Sequence, residues 1–122
     1  MEKINLPFLI GEGYEKWEFE LDVLPDRIKG FDSYRFIGKK VNKYLNYLPD
    51  EVELIFNLDI LEMVILKFEN KEVQFFEDIT NKTNKFDFTE VEVKCHYLNN
   101  SVFIIYGKMK LLNKLVLDSL LR

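Results

Sequence analysis

Alanine is missing from all 122 residues, and the chain carries only 1 Cys, 1 His and 3 Pro. Without Ala, helices must rest on Leu and Lys, so β-structure is expected to dominate. A single Cys rules out an intrachain disulfide and suits a reducing compartment. One Cys with one His is too few ligands for the usual zinc sites, and neither a metal nor a cofactor is expected. No uncharged apolar run approaches the ~20 residues of a membrane span. Residues Met1–Pro7 lack the basic and long apolar regions of a signal peptide, so the expected location is cytoplasmic. Positive charge is not in excess: 17 Lys and Arg face 21 Asp and Glu, a formal charge of −4, which argues against nucleic acid as a partner.

Catalytic signatures are equally sparse. Gly11-Glu12-Gly13 is half of a dinucleotide fingerprint, without its third glycine and without a helix behind it. Lys82-Thr83 has no Gly-rich run before it, so it is not a phosphate loop. Ser33, Ser101 and Ser119 all lie outside a G-x-S-x-G elbow. Cys95 and His96 are adjacent, and in a strand adjacent side chains leave on opposite faces. By parity Cys95 joins Val91 and Val93 as a buried thiol, and His96 joins Glu92 and Lys94 on the exposed side.

What is abundant is apolar, aromatic and charged: 48% hydrophobic residues, 31% charged, with 11 Phe, 6 Tyr and 1 Trp. Such a chain is too apolar for disorder and is long enough for one domain with its own core. Trp17, Phe19, Leu21 and Val23 alternate with Lys16, Glu18, Glu20 and Asp22, the pattern of a half-buried strand over Tyr14–Val23. Val41, Tyr44, Leu45 and Leu48 have helical spacing and stop at Pro49, predicting a middle helix from about Ile37, unless Tyr34–Ile37 is itself a short strand. Strands are expected at Val52–Leu58, Leu61–Phe68, Val73–Phe76, Phe86–Leu98 and Val102–Met109, with an exposed loop over Asp78–Lys85. A Leu-rich helix follows from about Lys110. The fold class is therefore α+β: an antiparallel, curved sheet of about six strands, with a middle and a C-terminal helix. Leu61–Phe68 and Val102–Met109 are apolar at both parities and belong in the sheet centre, covered on both faces.

Charge is blocked along the chain: net −5 over residues 12–26, +5 over 27–49, −5 over 50–62 and +4 over 94–122. Glu18, Glu20 and Asp22 on one strand, with Glu51 and Glu53 on another, are candidates for an acidic ridge that steers a basic partner. Phe86 and Phe88 share parity with Glu90, Glu92 and Lys94. Either a bulge near residues 88–90 swaps the faces, or the two rings form an outer apolar patch for protein binding.

These features favour a small acidic cytoplasmic inhibitor, immunity- or antitoxin-like or phage-encoded, that occludes a basic protein such as a nuclease toxin. Two alternatives stand beside it. One is a pocket inside a curved sheet for a small ligand, or an enzyme using Asp59, Glu62 or His96. The other is a homodimer on the C-terminal helix or the outer Phe residues.

Overall fold

The computed structural model describes residues 6–40, 42–88, 91–113, 115 and 120. Its centre is a hairpin of β3 (Glu51–Asn57) and β4 (Ile60–Phe68), preceded by β1 (Leu21–Leu24) and β2 (Asp32–Phe36). Helix α1 (Val73–Thr83) follows, then a second hairpin of β5 (Glu92–Leu98) and β6 (Ser101–Gly107), and a single helical turn α2 (Met109–Leu112). The strands form one open antiparallel sheet in the order β1-β2-β3-β4-β6-β5, and the fold is α+β. No described helix is long and apolar enough to cross a membrane.

The two strands that are apolar at both parities lie inside the sheet, as expected: β4 sits between β3 and β6, and every residue of β6 is buried. A register shift between β3 and β4 explains one oddity of the sequence. Ile55 faces Met63 while its neighbour Phe56 faces Leu61, so Glu62 is the extra residue of a bulge. The bulge puts Leu61 on the same face as Val64 and Leu66 despite their spacing.

One face carries the larger core. Val52, Leu54, Phe56, Val64, Leu66, Phe68, Val102, Ile104 and Tyr106 are covered there by Phe8, Trp17, Tyr44 and Ile79 of α1. On the other face Ile55, Met63, Ile65, Phe103 and Ile105 are covered by Ile28, Leu111, Leu112 and Leu120. The sheet is thus filled on both sides by loops and short helices from this one chain.

Four expectations about local structure are corrected. The segment 37–48 is not a helix: Tyr44 and Tyr47 bond each other's backbones around Leu45 and Asn46, both at positive φ. Among the described residues of this segment Tyr44 alone is fully buried, while Leu48, expected on the same apolar stripe, is 57% exposed; Val41, also expected on that stripe, lies outside the described residues. The middle helix lies instead at Val73–Thr83, over the expected strand Val73–Phe76 and most of the expected loop Asp78–Lys85. Its apolar stripe is only Phe75, Phe76 and Ile79, completed by Thr83, and packing of that stripe outweighs a polar composition. Strand β5 begins at Glu92, not Phe86, so parity does not relate Phe86 and Phe88 to it. The chain from Tyr14 to Glu20 is two turns of 3-10 helix, and only Leu21–Leu24 is strand. Three residues per turn bring Tyr14 and Trp17 inward together, whereas strict alternation would have buried Phe19 and Val23. Of the expected C-terminal helix the structure describes Met109–Leu112, while residues 114, 116–119 and 121–122 lie outside the described set.

Candidate protein-binding surface

Trp17 decides the shape of the N-terminal edge. It is buried against Phe8 and Phe56, with ring centroids 6.0 Å from each. Tyr14 packs beside it on Tyr34 and Phe56, at 5.3 and 5.6 Å. With these two rings turned inward, the 3-10 turn between them and β1 throws Phe19 outward. Phe19 is 91% exposed and Val23, on the outermost strand, is 81% exposed. Leaving a phenyl ring in water forfeits roughly 1.5–3 kcal/mol of burial, so its position here serves no folding purpose.

The surroundings of these two residues are acidic. Glu15, Glu18, Asp22 and Asp26 are exposed and Glu20 is half-buried. Lys16, the lone cation of residues 12–26, is bonded to Glu12 one turn earlier. Among the described residues, no ion pair involves Glu15, Glu18, Asp22 or Asp26. Their charge is therefore presented to solvent.

The second acidic block does reach the same side of the sheet, but it is interlaced with cations. Register places Asp22 opposite Arg35, and Arg35 opposite Glu53. Glu53 is buried and accepts a 2.6 Å hydrogen bond from Nε of Arg27, a half-buried residue whose side chain is only 6% exposed. Glu51 lies 4.0 Å from Arg35 and 3.9 Å from Lys67. A small cavity of about 40 Å³ opens among these side chains, room for a water or two but not for a metabolite. An acidic ridge running unbroken from residue 18 to residue 53 is thus not what the fold builds. Glu51 and Glu53 are tied to Arg27, Arg35 and Lys67, and the outward acidity is that of residues 15–26.

Phe86 and Phe88 are both half-buried. Phe86 lines a surface groove of about 500 Å³ with Leu45, Asn46, Lys82 and Lys85. Lys82 is fixed there, donating to the Tyr47 hydroxyl at 2.6 Å with its charge 4.8 Å from the ring centre. Two further pockets, of about 260 and 280 Å³, flank Phe36, Lys40 and Asn42. Asp59, Glu62 and His96 line none of these four. Asp59 is exposed in the β3–β4 turn, and Glu62 pairs with Lys108 at 2.9 Å.

Cys95 and His96 do leave β5 on opposite faces, and both are half-buried. Cys95 packs on the larger core under α1, where burial raises its thiol pKa while the hydroxyls of Thr80 and Thr83 pull the other way. His96 is less exposed than its parity suggested. Burial lowers its pKa, and the Lys94 charge lowers it further.

The exposed ring of Phe19 is the feature that pattern reading missed. Its signal was present in the spacing of Tyr14 and Trp17, which fits a three-residue turn and leaves Phe19 outside it. No family model, no curated protein and no solved structure matches this chain.

Proposed function

We propose that this chain is a small protein-binding inhibitor that neutralises a basic partner by covering it. The observation that carries this reading is Phe19, exposed in the turn that leads into the edge strand of Val23, within a segment whose Glu15, Glu18, Asp22 and Asp26 carboxylates also face solvent. A large apolar anchor within a charged rim is the arrangement of binding hot spots. The net charge of −5 over residues 12–26 selects the sign of the partner and speeds its approach. A protein that acts on an anionic substrate, such as a nuclease toxin, offers the matching basic cleft. In this reading Glu18 and Asp22 stand in for the substrate's charges and Phe19 fills an adjacent apolar recess, in an immunity- or antitoxin-like role inside the cytoplasm.

The test is a comparison of bound partners. The native chain and the Glu18→Lys/Asp22→Lys variant are immobilised and the retained proteins identified. The reading requires a basic protein held by the native chain and lost by the variant, with unchanged circular dichroism. Retention of that protein by the charge-reversed variant contradicts it.

A further inference from the structure

We infer that β1 receives its partner as an added β-strand, formed by an extended segment in which basic and apolar residues alternate. This rests on the reading that residues 15–26 bind a basic protein, and it specifies how.

The phase of the hydrogen bonding decides which backbone groups are on offer. The N–H of Ile37 donates to the carbonyl of Glu20 at 2.8 Å, so Glu20 and Ile37 form a hydrogen-bonded pair. In an antiparallel ladder such pairs recur at every second residue. The register then makes Asp22–Arg35 and Leu24–Ser33 bonded pairs, and leaves Leu21 and Val23 with N–H and C=O turned away from β2. Among the described residues β1 pairs with β2 alone, so these groups of Leu21 and Val23 point along the open edge of the sheet.

The two edges of the sheet differ. β5 carries Lys94 and packs against α1, with each of its other residues half-buried. Lysines and covering helices are the usual devices that stop a strand from recruiting another. β1 has no lysine and, among the described residues, no helix packed over it, and Val23 is 81% exposed on it. Its protection is brevity, four residues ending at Pro25, which disfavours chance pairing and leaves room for a short specific one.

Side-chain alternation then specifies the incoming strand. Val23 lies on the face of its register partners Tyr34 and Leu54, while Asp22 lies on the opposite face with Arg35. A residue placed opposite Val23 is best apolar, and one placed opposite Asp22 is best basic, since cross-strand neighbours sit about 5 Å apart. Main-chain bonds to Leu21 and Val23 supply the attachment, and alternate side chains supply the selectivity. Phe19, just before the strand, anchors the end of the added segment.

The experiment uses a seven-residue peptide alternating lysine and valine as the probe, added to the 15N-labelled chain. Amide hydrogen exchange is followed residue by residue. Strand addition requires the Leu21 and Val23 amides to slow at least tenfold at saturation, while those of Asp22 and Leu24, already bonded to β2, change little. A peptide of the same charge with proline at its centre must bind at least tenfold more weakly. Val23→Pro, which deletes an outward N–H but no bond to β2, must also weaken binding tenfold, whereas Val23→Thr keeps it. Shifts at residues 18–26 without slowed exchange at Leu21 and Val23 overturn strand addition and leave side-chain occlusion standing. Absence of any peptide binding, or equal binding of the proline peptide, overturns it as well.

Discussion

Tyr106 holds the N-terminal segment to the sheet through both sides of its hydroxyl. The Phe8 N–H donates to it at 3.1 Å, and it donates to the Phe8 carbonyl at 2.6 Å, all buried. Burial pushes its pKa up, so the group is a neutral hydroxyl throughout the working range. Tyr106→Phe strands a buried donor and a buried acceptor, and is expected to cost about 2–4 kcal/mol in urea denaturation. A second residue-scale prediction concerns pH. Burial lowers the folded pKa of His96 below the ordinary imidazole value of ~6.5. Between the two values the unfolded chain binds more protons, so the contribution of His96 is present above ~6.5 and is lost as pH falls through the folded value. Measured as urea midpoints at pH 7 and pH 5, native protein should lose more stability than His96→Asn. An equal loss in both would show that His96 titrates alike folded and unfolded.

The elements divide by how tightly their burial is dictated. β4 and β6 were legible because strands buried on both faces read as near-continuous apolar runs, and β3 because Val52, Leu54 and Phe56 alternate with Glu51, Glu53 and Asn57. Asn99 and Asn100, between two of the expected strands, are residues that tolerate the positive φ of a type I′ turn, and both do adopt it. The segment 37–48 and helix α1 were not legible, because both are polar stretches with a thin apolar stripe. In the first, Tyr44 is the one deeply buried side chain among the described residues, and its hydroxyl meets that of Thr83 on α1 at 2.8 Å. That bond ties the turn to the helix end, a tertiary event that no local pattern encodes. The β3–β4 turn shows the converse, a local mismatch the fold tolerates. Leu58 and Asp59 hold φ of 50° and 65°, and Leu58 is 87% exposed, so no packing rewards its strained backbone. The turn favours Asn-Gly. Leu58→Asn/Asp59→Gly is expected to stabilise the chain by about 1 kcal/mol, seen as a rise in melting temperature; no rise would mean that the turn is unstrained.

Taken as a whole molecule, the charge blocks were visible in the sequence but their partners were not. The block at residues 50–62 folds beside Arg27, Arg35 and Lys67 and spends much of its charge internally. Arg27 and Glu53 hold the loop after β1 over the second face of the sheet, where Ile28 enters the core. The block at residues 12–26 stays outward, and it carries Phe19 with it. Glu18 and Asp22 could be nominated from charge alone. Phe19 could not, because its exposure follows from Trp17 turning inward in a 3-10 turn rather than a strand. Recognition of a partner therefore turns on one ring. Its direct test is the affinity of Phe19→Ala, against the native chain, for the basic protein that the native chain retains. Binding is expected to weaken at least ~10-fold with an unchanged melting temperature, because an exposed ring contributes nothing to the core. Equal affinity of the two chains would contradict it.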